Sequence, residues 1–75
     1  MSYPARSAYR VMCCVFGDKM ARASHNGPYE FYLNAKDERN WLFHNNPSAV
    51  MSAWVERDGV RFRGVLARLK PEGVE

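Results

Sequence analysis

The strongest constraint on the fold is a strictly apolar run of six residues, residues 11–16, that ends at the turn residues Gly17 and Asp18. A short apolar run that is rich in strand formers and bounded by a turn is typical of a buried β-strand. The run is also far shorter than the roughly 20 apolar residues that a membrane-spanning helix needs. We therefore predict a central strand over residues 8–16 and no membrane span.

A chain of 75 residues has room for a single domain, residues 1–75, with a small core. A domain of this size buries only about 60% of the surface of its unfolded chain. The content of 47% hydrophobic and 13% aromatic residues argues against a disordered tail, a collagen-like fibre or a coiled coil. Residues 1–7 and 70–75 are expected to be flexible termini.

A hairpin signal follows the first strand. Residues 19–25 form a weak strand pattern, and Asn26-Gly27 is the dipeptide that best supplies a type I′ turn. Residues 28–33 are aromatic and favour a strand, although Pro28 has no N–H to donate and fits best at a strand start or edge. These segments predict a three-stranded antiparallel meander over residues 8–33.

The main helix is predicted over residues 47–57. Asn46 would cap it, Pro47 would occupy its first position, and Asp58-Gly59 would end it. Val50, Ala53 and Trp54 form an apolar stripe at helical spacing. Residues 60–69 then predict a last strand.

The pattern leaves residues 34–45 undecided. Asn34 is a suitable helix cap, whereas residues 41–43 could equally form a short strand or a wedge of core residues. The fold class predicted is α+β, an antiparallel sheet of three to four strands with one main helix, about residues 47–57, packed on it. The expected aromatic core is Phe16, Phe31, Trp41, Trp54 and Phe62, with Trp54 as its buried anchor.

The two cysteines, Cys13 and Cys14, are adjacent on a predicted strand, so their side chains point to opposite faces and cannot easily form a disulfide with each other. We expect reduced thiols with at least one buried, and a cytoplasmic protein without a disulfide framework. Adjacent cysteines also lack the spacing of a structural zinc site, and the histidines His25 and His44 lack the matching spacing.

No catalytic or cofactor motif is found. A nucleophile elbow and a phosphate-binding loop are both absent, because the five glycines are isolated from one another. The sequence therefore predicts a protein that is not an enzyme and binds no cofactor or metal. Small size without a catalytic cluster is also typical of phage or mobile-element proteins that inhibit host machinery.

The formal charge of +3 and the excess of arginine over lysine suit an anionic partner. We predict a binding protein that regulates or inhibits a larger macromolecular machine by direct contact with a protein that has an acidic surface. The alternative is a nucleic-acid-binding domain that uses a basic, aromatic sheet face. In either case the predicted partner-binding residues are Arg57, Arg61, Arg63, Arg68, Tyr29 and Tyr32.

Overall fold

A computed structural model describes residues 8–71, which form one antiparallel sheet with one helix packed on it. The elements, in chain order, are β1 (Tyr9–Val15), β2 (Arg22–Ala23), α1 (Tyr32–Asn45), β3 (Val50–Arg57) and β4 (Val60–Ala67). The strand order across the sheet is β2-β1-β3-β4, and every neighbouring pair is antiparallel. The predicted α+β class is confirmed. The predicted flexible ends, residues 1–7 and most of 70–75, lie outside the described residues.

The core lies between α1 and the two inner strands, β1 and β3. One buried cluster joins Val11 of β1, Val55 of β3 and Ala35 of α1. A second cluster, farther along the sheet, consists of Cys13, Phe43, Val50 and Ala53. The prediction of a central first strand is confirmed, because β1 pairs with β2 on one side and with β3 on the other.

The predicted helix over residues 47–57 is wrong, because this segment forms β3. β3 lies between β1 and β4, and residues on both of its faces are buried. Ala53 and Val55 belong to the clusters under α1, whereas Trp54 points to the opposite face and is only 4% exposed. Burial on both faces removes the alternation that identifies a strand.

A β-bulge strengthened the false helical pattern. The register between β1 and β3 shifts between Cys14 and Val15, whose partners are Ser52 and Val50, so Met51 is an extra residue in β3. The shift brings Val50 to the same face as Ala53. Two apolar residues three positions apart then share one face, as they would on a helix.

The helix lies instead over Tyr32–Asn45, in the segment that the pattern left undecided. Its interior has no glycine or proline, and it contains good helix formers such as Ala35, Lys36 and Glu38. Asn34 is not its cap, because the cap position is Phe31 and no side chain hydrogen-bonds there. Asn46 follows the helix rather than preceding one, and its side-chain amide donates to the carbonyl of Leu42 at 2.9 Å.

The predicted third strand of the meander is also wrong. The β1–β2 pairing exists over Met12↔Ala23 and Cys13↔Arg22, but residues 28–33 contribute only an isolated bridge between Tyr9 and Tyr29. Pro28 has no N–H for a ladder, and the helix begins at Tyr32. Asn26-Gly27 is not a type I′ turn either, since Gly27 has a positive φ and Asn26 does not.

The two-residue turn between β3 and β4 is Asp58-Gly59, the pair that was expected to end a helix. Asp58 has a φ of 55° and Gly59 a φ of 77°, the two positive values that a type I′ hairpin turn requires. Arg57 and Val60 pair directly across it. The Asp-Gly signal was therefore a hairpin signal, and it fixes the register of the last two strands.

Replacement of Gly59 by alanine should lower the free energy of unfolding by about 1 to 2 kcal/mol, because an L-residue is strained at its positive φ. No heavy atom lies within 4 Å of an added Cβ, so the loss would come from the backbone alone. Gly64→Ala is the matched control, since Gly64 also has open space around it but no positive φ. Urea unfolding should show a lower midpoint for the first variant only, and equal midpoints would contradict the turn assignment.

Candidate protein-binding surface

Three exposed arginines surround the β3–β4 hairpin, and each guanidinium lies over an aromatic ring. We call Arg57, Arg61 and Arg63 the hairpin arginines. The distance from guanidinium carbon to ring centroid is 5.1 Å for Arg57 over Tyr9 and 4.6 Å for Arg61 over Trp54. Arg63 lies 5.3 Å from the ring centroids of both Tyr32 and Phe62. These are cation–π distances, so the rings attract and orient the charges.

Beneath Arg57 and Arg63, three aromatic rings pack edge to face or tilted. The centroids of Tyr9 and Phe62 are 5.1 Å apart, those of Tyr32 and Phe62 are 4.9 Å apart, and those of Tyr9 and Tyr32 are 5.8 Å apart. They come from the start of β1, the first turn of α1 and the first half of β4, and they pack against the Val11–Val55 cluster. The Arg57 guanidinium also donates a hydrogen bond of 3.0 Å to the Tyr9 hydroxyl.

The hairpin arginines do not all lie on one face of the sheet. Arg57 pairs with Tyr9, on the face that α1 covers, and Arg63 reaches the first turn of α1. Arg61 pairs with Glu56, on the opposite face, where it lies over Trp54. The three positive charges therefore lie on both faces of the β3–β4 hairpin.

Within residues 8–71, none of the hairpin arginines forms an ion pair. The acidic residue opposite Arg61 in the sheet, Glu56, accepts a hydrogen bond of 3.0 Å from the Trp54 indole. An ion pair elsewhere in the sheet joins Arg22, the first residue of β2, to Asp18 in the loop that precedes it. Within the described part of the chain, each hairpin arginine thus has an aromatic ring beneath it and no carboxylate paired with it.

Arg68, also predicted to contact the partner, has an internal role. Its guanidinium donates to three backbone carbonyls, those of Phe43, Asn46 and Val50, at 2.7, 3.1 and 2.8 Å. It also lies 3.7 Å from the centroid of the Phe43 ring. These carbonyls lie at the end of α1 and the start of β3, where a cation is favourable. Arg68 directly follows β4, so these bonds hold the α1–β3 connection against the end of β4, away from the hairpin arginines.

The two tyrosines predicted to bind the partner, Tyr29 and Tyr32, lie at different places on the surface. Tyr32 joins the aromatic cluster under Arg63. Tyr29 pairs with Tyr9 through two backbone hydrogen bonds of 2.8 Å, and its side chain lies against the opposite flank of α1, in a groove with Trp41. Partial desolvation raises the pKa of the Tyr29 hydroxyl above its ordinary value, and the Glu38 carboxylate adds to this increase.

Several residues of this surface are not identifiable from the sequence pattern. Tyr9, Phe62 and Trp54 supply the rings beneath the arginines, but two of them were assigned to the core alone. Arg39 of α1 was missed altogether. It is 7% exposed and donates to Asn40 Oδ1 and, at 3.4 Å, to the carbonyl of Gly64 in β4. The sequence does not show that the Arg39 guanidinium lies near the β3–β4 hairpin, because this depends on the position of β4 beside α1 in the fold.

The thiols of Cys13 and Cys14 are both free, as predicted, and Cys13 is the buried one. Burial raises the pKa of the Cys13 thiol, the neighbouring Cys14 raises it further, and Arg22 lowers it. Cys14 is partly exposed on the other face of β1. In the described part of the chain, no three side chains of the metal-ligating types come together.

Comparison of the chain with protein-family models, with curated proteins and with solved structures gives no significant match. Across residues 8–71, no helix has the length and apolar character that crossing a bilayer requires.

Arg68→Met should lower the free energy of unfolding by about 2 to 4 kcal/mol, because it leaves partly buried carbonyl groups without their charged donor. Arg57→Met is the matched control, and its exposed site should lose less than about 1 kcal/mol. Urea denaturation followed by circular dichroism measures both changes. Equal losses in the two variants would refute a structural role specific to Arg68.

Thiol modification should distinguish the two cysteines. Because burial raises the Cys13 pKa and shields its sulfur, Cys14 should react with a disulfide reagent at pH 8 about tenfold faster or more. Cys14→Ser should remove the fast phase, and Cys13→Ser should retain it. Two thiols with the same rate in native protein would contradict the assignment.

Proposed function

We propose that this protein is a non-enzymatic binding protein that regulates or inhibits a larger macromolecular machine by occupying an acidic protein surface. The contact is made by the hairpin arginines, with Tyr9 and Tyr32 beneath them. The free thiols suit a reducing compartment, so the proposal includes a cytoplasmic location.

The single observation that carries the proposal is that each of the three hairpin arginines lies over an aromatic ring and forms no ion pair within residues 8–71. Ordering a free arginine side chain on binding costs conformational entropy, and a side chain already held over a ring loses less. Arginine and aromatic residues are also the types most enriched at interface hot spots. A preorganised cationic hairpin is therefore suited to carboxylate groups on a partner.

The packing of the rings favours a protein partner over the nucleic-acid alternative. Single-strand binders stack bases on exposed ring faces. Here Trp54 is 4% exposed and lies under Arg61, and the rings of Tyr9, Tyr32 and Phe62 pack against one another. The guanidinium groups would meet a partner before the rings do. Carboxylates on a folded surface satisfy such an arrangement without base stacking.

The test is capture of a stoichiometric partner from a nuclease-treated lysate of the source cells at moderate salt. Wild-type protein is compared with a triple variant, Arg57→Gln, Arg61→Gln and Arg63→Gln. The control triple variant removes the same three charges elsewhere, through Lys19→Gln, Lys36→Gln and Lys70→Gln. We expect wild type and control to retain the partner and the arginine variant to lose it, because only the latter lacks the supported charges.

Two results would overturn the proposal. Equal loss in both triple variants would mean that net charge alone drives association. Retardation of labelled DNA or RNA, with an affinity that falls linearly on a log–log salt plot and disappears in the arginine variant, would favour the nucleic-acid alternative.

A further inference from the structure

A second candidate surface lies on the opposite flank of α1 from β4. It is an open groove of about 410 Å³ between α1 and the segment that precedes it. Its lining residues are Tyr29, Asn34, Asp37, Glu38 and Trp41. The hairpin arginines do not contribute to it, and the proposed function does not require it.

The groove has a fixed frame. Its four helical residues follow the spacing i, i+3, i+4 and i+7, so they form one stripe along α1. Glu38 is held by hydrogen bonds from the Ser24 hydroxyl at 3.2 Å and the Asn26 amide at 3.0 Å. Tyr29, on the other wall, is held by its two backbone bonds to Tyr9.

Trp41 is a large aromatic residue with an exposed side chain. Its indole was expected in the core, yet it is 58% exposed on the outer flank of α1. The carboxylate of Asp37, one helical turn before Trp41, has no hydrogen-bond or ion-pair partner within residues 8–71. Two carboxylates and two aromatic side chains thus share one groove, and among residues 8–71 its lining includes no cation.

We propose that this groove binds an arginine side chain of a partner polypeptide. A guanidinium group can stack on the Trp41 or Tyr29 ring while it donates to the carboxylates of Asp37 and Glu38. Its planar, delocalised charge suits a site that combines a ring face with carboxylates better than a compact ammonium does. The charge of the groove, opposite to that of the hairpin, selects this occupant.

The hairpin arginines of a second copy have the same chemistry but are not the proposed occupant. A contact between the hairpin of one copy and the groove of another would form a reciprocal dimer, a ring or an open chain, according to the rotation between the copies, and each form would assemble as the protein concentration rises. Sedimentation at increasing protein concentration tests this point. Concentration-dependent growth that Asp37→Asn abolishes would overturn the proposal in favour of self-association.

The binding experiment uses the two indole N–H signals in a ¹H–¹⁵N correlation spectrum of the full chain. The probe is a blocked pentapeptide, Gly-Gly-Arg-Gly-Gly, and its control has neutral citrulline in place of arginine. The Trp41 signal should shift and saturate as the arginine peptide rises to about 20 mM, a range suited to one weakly held side chain. The buried Trp54 signal should not move and serves as the internal reference.

Variants then connect the shift to the groove. Asp37→Asn and Glu38→Gln should each weaken binding about threefold or more, by analogy with other cation–carboxylate contacts. Asp58→Asn removes the same charge in the hairpin turn and should leave binding unchanged. A Trp41 signal that responds equally to the citrulline peptide, or an equal effect of Asp58→Asn, would overturn the proposal.

The triple hairpin variant separates this proposal from the proposed function. If the groove acts independently, that variant loses the acidic partner but still binds the arginine peptide with unchanged affinity. Loss of peptide binding in the hairpin variant would overturn an independent groove.

Discussion

The rest of the structure depends on the burial of β3 on both faces. β3 pairs with β1 and β4, and α1 covers only one face of the sheet. The opposite face of β3 presents Trp54, which a second layer of structure would normally cover. Here the Arg61 side chain lies over the indole, and the indole N–H is satisfied by Glu56. A small core thus obtains part of its cover from a charged side chain, whose stem and guanidinium plane are suited to an apolar ring.

Arginine serves two kinds of role in this chain, and burial and partners distinguish them. Arg39 and Arg68 donate to backbone carbonyls between α1 and the strands, so their charges help to hold the helix on the sheet. Arg57, Arg61 and Arg63 lie outside and rest on rings. A substitution in the first group would destabilise the domain itself, so only the second group can test the proposed contact. Composition alone gives no means of separating the two.

The sequence pattern predicts the elements that have a clear apolar run or turn signal. It fails for the elements whose buried residues do not follow the period of their secondary structure. β1 is a continuous apolar run and β4 follows a hairpin turn, and both were predicted close to their observed bounds. The pattern over β3 predicts a helix because two-sided burial and the bulge at Met51 imitate a helical stripe. The true helix exposes Trp41 and Leu33 and buries Arg39, so its amphipathic pattern is nearly absent. The aromatic support of the arginines depends on strand pairing and was therefore not predictable from spacing.

The net charge of +3 conceals a separation of charge that only the fold creates. Glu38 and Arg39 are neighbours in the chain, yet about 100° of helical rotation separates their side chains. Glu38 bonds to residues beyond β2, whereas Arg39 bonds to β4. α1 therefore divides the surface into an acidic flank with Trp41 and a basic flank that continues into the hairpin. A single partner that engaged both flanks would therefore have to present a basic element and an acidic element about one helix diameter apart, roughly 10 Å.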